Sequence, residues 1–130
     1  MFRKKSQQSY LSEFPKGTFI QTEKGFFYIL GDKARYHFIT RRVLDSWSPQ
    51  RIVQTDGATV SRYKVIAKMK FRPGTLLFSQ ASGKMYLVSD HKLRHITSPD
   101  ILAGLGAERN DAVWVSLDEI NLHEEGEPLR

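Results

Sequence analysis

The sequence predicts a mainly β, α+β protein built from two tandem ββ-β-α-β repeats packed on a shared core. Three observations lead there. Landmarks recur in the same order along the two halves of the 130-residue chain. Short runs of β-branched and aromatic residues alternate with turn residues, the pattern of hairpins. A repeat shorter than roughly 60 residues buries too little surface to be stable alone, so the two copies need one another.

The landmarks are specific in combination. Gly17-Thr18-Phe19-Ile20 returns as Gly74-Thr75-Leu76-Leu77, and Phe27-Tyr28-Ile29-Leu30-Gly31-Asp32 as Met85-Tyr86-Leu87-Val88-Ser89-Asp90. His37-Phe38-Ile39-Thr40 aligns with His95-Ile96-Thr97-Ser98, and Val43-Leu44 with Ile101-Leu102 at an offset of 58. Val60-Ser61 is matched to Val115-Ser116, which makes Thr55-Asp56-Gly57-Ala58-Thr59 an extra loop of the first copy. Pro15, Pro73 and Pro128 punctuate the chain at intervals of 58 and 55. The organisation expected is a basic N-terminal arm over 1–16, repeat one over 17–73 and repeat two over 74–130, one compact domain overall.

Each element has a local reason. Residues 17–22 and 26–31 form a hairpin around Glu23-Lys24-Gly25, and 74–80 with 84–89 form its counterpart around Ala81-Ser82-Gly83. A turn at Gly31-Asp32 or Ser89-Asp90 leads into a third strand ending near Ile39 or Ile96. In the second copy Ser98 caps a short helix, Pro99 opens it and Gly104 or Gly106 stops it. In the first copy Thr40 is the cap, Arg41 and Arg42 open the helix, and it ends near Ser48-Pro49. A fourth strand follows at Arg51–Thr55 and at Ala112–Val115. Ser116-Leu117-Asp118-Glu119 has capping-box spacing, so a last helical turn begins there. Phe19, Phe27, Ile29, Leu76, Tyr86 and Val88 are the expected inward positions, with Trp47 and Trp114 as large core fillers.

Composition narrows function. Hydrophobic residues make up 40% and charged residues 26%, which argues against disorder. The chain has no cysteine, which removes disulfides, thiolate metal sites, iron–sulfur clusters and a thiol nucleophile. No apolar run is long enough for a membrane span, and the basic N-terminus lacks the apolar stretch of a signal peptide. No membrane partner is expected.

No catalytic constellation stands out, so the chain reads as a non-enzyme with no cofactor and no metal. His91 and His95 are four apart, but on a strand they lack the geometry of a helical ligand pair. His37 and His95 hold equivalent repeat positions and share a structural role. Ser79, Ser82 and Ser89 lack a nucleophile elbow. Asp118, Glu119, Glu124, Glu125 and Glu127 read as a solvated acidic face, since their spacing fits neither an EF-hand nor a buried dyad. Gly104-Leu105-Gly106 lacks the rest of a dinucleotide fingerprint.

The second copy carries Tyr86-Leu87-Val88, Lys92-Leu93-Arg94-His95-Ile96, Ser98-Pro99-Asp100-Ile101, Leu105-Gly106, Val113-Trp114-Val115 and Glu125-Gly126-Glu127-Pro128-Leu129. This resembles a repeat of bacterial surface proteins and bacteriophage virion structural proteins, with the pattern YLV…GKKRPIPSPE…LG…V..VS..EL…PEGEPL. The likeness covers 74–130 well and 17–73 loosely. In the first copy Arg41-Arg42 stand where Pro99-Asp100 would be, and Lys70-Phe71-Arg72 replace the acidic Glu124-Glu125 region. The resemblance implies a scaffold or interaction module. With no signal peptide, it implies a virion component made in the host cytoplasm, in the tail or the head–tail connection.

Charge points to a partner. Residues 1–16 carry a net +3, residues 17–73 a net +7 and residues 74–130 a net −4. A basic front and an acidic end suit head-to-tail contact between copies. The expected basic interface is Arg62, Lys64, Lys70 and Arg72, and the acidic one Glu124, Glu125 and Glu127. Partners would be copies of the chain and other virion structural proteins. One alternative is a polyanion or nucleic-acid-binding protein using the basic half. Another is a cell-surface glycan-binding module.

Overall fold

A computed structural model describes residues 14–130 of the protein. Most of the expected N-terminal arm, residues 1–13, lies outside the described residues. With 36% strand and 19% helix, the described chain is mainly β.

The first sheet is built from β1 (Phe19–Thr22), β2 (Phe27–Leu30), β3 (Ala34–Phe38), β4 (Ile52–Thr55) and β5 (Lys64–Lys68), in the order β4-β1-β2-β3-β5. The second contains β6 (Leu76–Ser79), β7 (Met85–Ser89), β8 (Lys92–His95), β9 (Val113–Val115) and β10 (Glu124–Glu125), in the order β10-β8-β7-β6-β9. Read from the other edge, the second order repeats the first. In both, three antiparallel strands form the middle and a parallel strand closes each edge. Between strands lie α1 (Arg41–Asp45), α2 (Gly57–Val60), α3 (Pro99–Gly104) and α4 (Leu117–Ile120).

Hydrogen bonds fix the correspondence of the copies residue by residue. The Gly17 N–H donates to the Leu30 carbonyl, and the Gly74 N–H to the Val88 carbonyl, each at 2.7 Å. Gly25 donates to Thr22 and Gly83 to Ser79, and both glycines sit at positive φ, 88° and 72°, where a Cβ would strain the turn. After the first helix of each repeat the match requires a correction. Thr55 pairs with Thr22 as Val115 pairs with Ser79. Asp56 caps α2 as Ser116 caps α4. Thr55-Asp56 is therefore the counterpart of Val115-Ser116, and residues 55–59 are no extra loop. The inserted residues belong to the second copy, near the 3₁₀ turn Arg109–Asp111. The capped turn has the sequence character of a loop because its Gly57-Ala58-Thr59 lacks the Glu of a capping box.

The fifth strand of each sheet has no counterpart in the sequence reading. All of Lys64–Lys68 is exposed, so it lacks the apolar alternation of a half-buried strand. Glu124–Glu125 has no β propensity and is placed by pairing with β8.

The chain divides into two compact units that do not follow the repeat boundary. One comprises, among the described residues, 14–38 and Pro49–Lys68; the other comprises Ile39–Ser48 and Met69–Arg130. The first repeat thus contributes α1 to the second unit.

In the first unit Ile20, Leu30, Val60 and Tyr63 form a buried cluster, joined by Phe14 and Tyr28. In the second, Val43, Leu44, Phe71, Leu77, Val88 and Val115 are all within 1% of complete burial. Tyr86 and Val88 are buried as expected, but Phe19, Phe27, Ile29 and Leu76 are only half-buried. The expected inward set mixed two faces of the sheets, because both faces carry apolar residues. Trp47 is half-buried, and Trp114 is 59% exposed on the edge strand β9, packed at a tilt against Phe78 with ring centroids 4.9 Å apart. Trp114 is therefore not a core filler. Trp114→Gln should cost less than about 1 kcal/mol in urea denaturation, against about 3–5 for a buried aromatic.

Candidate assembly surfaces

Among the described residues, side-chain hydrogen bonds converge on the seat of α1 within the second unit. Thr40 caps the helix by accepting the Val43 N–H. Its own hydroxyl donates to Glu119 Oε2 at 2.6 Å. Arg42 donates to the same carboxylate, from Nε at 3.1 and 3.0 Å and from Nη2 at 2.8 Å. Glu119 also accepts the Ser116 N–H at 2.9 Å, completing the capping box of α4. Val43 and Leu44 follow Arg42 and are fully buried.

Glu119 itself is 0% exposed, so the expected solvated acidic face does not include it. Burial by itself would raise its pKa. The bonds from Arg42, Ser116 and Thr40 outweigh that and hold the carboxyl down at about 2. The capping box was legible in the sequence. The burial was not, because Arg42 lies 77 residues away.

The segment entering β6 ties the far end of α1. The Trp47 Nε1–H donates to the Lys70 carbonyl at 2.9 Å, and the Arg72 N–H to Ser46 Oγ at 3.1 Å. Between them the buried Phe71 N–H donates to His123 Nε2 at 3.1 Å. The other ring nitrogen, Nδ1, donates to the His91 carbonyl at 2.8 Å. That carbonyl belongs to a tight turn where Asp90 and His91 take positive φ of 50° and 66°. His91 and His95 thus sit on a turn and a strand, not on a helix. His95 faces Tyr86 at 5.7 Å as His37 faces Tyr28 at 5.3 Å, a cross-strand pair common to both repeats. Burial first, then the charges of Lys68 and Arg35, lower the pKa of His37.

The expected interface residues separate. Arg62 and Lys64 belong to the first unit, and both are exposed. Lys70 and Arg72 belong to the second unit, where they flank Phe71. Exposed Glu124 and Glu125 follow His123 directly, and the exposed Glu127 gives its carbonyl to Arg94 Nε at 2.9 Å. Lys70 and Arg72 therefore flank the residue, Phe71, that bonds His123, the acidic segment's neighbour, inside one unit. Arg62 instead shares a cleft of about 460 Å³ with Lys16, Lys33, Asp32 and Tyr63. Over described residues the first unit holds eight bases and three acids, and the second nine bases and ten acids. The charge asymmetry survives, but the basic end is the first unit alone.

No family model, curated protein or solved structure matches the chain. Among the described residues no group of three or more His, Cys, Asp or Glu side chains is placed to hold a metal, and no helix is long and apolar enough to cross a membrane.

Apolar surface remains open on the helices of the second repeat. Leu105 is 45% exposed and Leu117 55%. A groove of about 310 Å³ beside α3 is lined by Phe78, Met85, Ile96, Pro99, Leu102 and Arg109. Trp114, packed against Phe78, extends this apolar surface. Exposed aromatics and aliphatics of this kind, rimmed by Lys84 and Arg109, are typical of contact surfaces.

Proposed function

We propose that the protein is a non-enzymatic structural subunit that assembles with copies of itself, in a bacteriophage virion at the tail or head–tail connection. One observation carries the assembly reading. The helix of one repeat is seated in the unit built on the next, through a buried carboxylate and two fully buried aliphatic side chains. A module that docks through a helix in this way is suited to serial contact. The uneven charge of the two units supplies the steering for head-to-tail encounter. The virion setting rests on the resemblance of residues 74–130 to the virion repeat.

Sedimentation of the purified chain across concentration, at low and high salt, tests this. A discrete oligomer that dissociates in high salt is expected. A monomer under all conditions overturns it.

A second reading has its own observation. The cleft holding Lys16, Lys33 and Arg62 gathers three cations in the basic unit, which favours a polyanion ligand. DNA binding that weakens with salt and is lost in Lys33→Glu with Arg62→Glu, in a chain that stays monomeric, would establish it.

A further inference from the structure

We infer that α3, with its cap and exit at residues 98–105, docks on the first unit of a second copy of this chain, at the α2 turn Asp56–Val60. The inference rests on the assembly reading and names the surfaces that would make the contact.

The chain already shows one such contact. α1 and α3 are the same element in successive repeats: Thr40 and Ser98 are the caps, Val43 and Leu44 correspond to Ile101 and Leu102, and Trp47 corresponds to Leu105. The residue after this last pair takes positive φ in both, 48° at Ser48 and 73° at Gly106. What differs is coverage. Val43 and Leu44 are completely buried, whereas Ile101 is half-buried and Leu105 is 45% exposed. Leu102, like Leu44, is buried, so the surface that α3 leaves open is Leu105 with the uncovered part of Ile101.

The counterpart of the seat lies in the first unit. α4, which carries Glu119, corresponds to α2, and Glu119 corresponds to Thr59. Both are the third residue of a capped turn, and both N–H groups donate to the cap side chain.

Charge follows in step. α1 brings Arg42 to a unit that, without residues 39–48, holds seven bases and nine acids. α3 brings Asp100 at the position of Arg42, and the described first unit holds eight bases against three acids. The sign is reversed for the units as wholes; at the α2 turn itself, which carries the Asp56 and Glu23 carboxylates, Arg62 is the cation that Asp100 would meet. The contact is heterologous, and it passes from copy to copy until a ring closes.

The test is the association of the full chain, followed by sedimentation, with circular dichroism to confirm folding. Asp100→Arg and Leu105→Glu should each weaken association about tenfold or more. Thr59→Glu added to Asp100→Arg rebuilds the Arg42–Glu119 pairing between copies and should restore association to within about threefold of the parent chain. Oligomers unaffected by either single substitution would overturn the α3 seat while leaving self-assembly standing. Weakening without rescue would overturn the α2 turn as its partner. A parent chain that never associates would overturn both readings.

Discussion

Arg42→Ala should lower the unfolding free energy by about 3 kcal/mol, and Glu119→Gln by about 2 kcal/mol, in urea denaturation. The asymmetry has a physical source. Removing Arg42 leaves a fully buried carboxylate with only Thr40 and Ser116 to hold it. Removing the charge of Glu119 leaves Arg42 half in water, where its guanidinium is readily hydrated. Replacing both partners by apolar groups, Arg42→Met with Glu119→Leu, should recover most of the loss. The pair also gives an acid limb. The folded Glu119 pKa of about 2 lies below its ordinary value of 4.5, so its contribution is complete above pH 4.5. It declines as pH falls from there towards 2, and Glu119→Gln should flatten that limb.

His123 should impose a second, milder acid sensitivity at higher pH. Its ring spends both nitrogens on the main chain, donating to His91 and accepting from Phe71. A second proton on Nε2 would face the Phe71 N–H and leave that buried donor without an acceptor, at about 1–3 kcal/mol. Burial first, and then the charges of Lys70 and His91, lower its pKa below 6.5, against the raising effect of the His91 carbonyl. In the unfolded chain the ring takes up its proton near 6.5, and the folded chain resists. Its stabilisation is therefore present above pH 6.5 and is lost as pH falls towards the folded value. The first unit uses Tyr63 in this place, whose hydroxyl accepts the Phe14 N–H at 2.8 Å. His123→Tyr should copy that acceptor and remove the slope just below pH 6.5 in denaturation measured against pH.

These two sites also show what the sequence could and could not reveal. Local signals were legible, the Asp56 cap excepted. The turn glycines Gly25 and Gly83, the caps Thr40 and Ser98, and the Ser116–Glu119 capping box depend only on residues a few positions away. The shared place of His37 and His95 followed from repetition alone. Non-local facts did not read. Nothing near Arg42 announces a partner 77 residues on, nor does anything near Phe71 announce His123. The size of Trp114 predicts a core position, yet its edge strand leaves it open. Sequence proximity groups the basic candidates, but the boundary between the compact units falls between Lys68 and Met69. That boundary separates Arg62 and Lys64 from Lys70 and Arg72.

Amide hydrogen exchange at α1 and α3, followed as the protein is concentrated, tests the account most directly. Here α1 should be protected at every concentration, because its seat lies within the chain. By contrast α3 should exchange quickly when dilute and become protected as oligomers form. Protection of α3 that does not change while the mass rises, or a mass that never rises, would contradict the account.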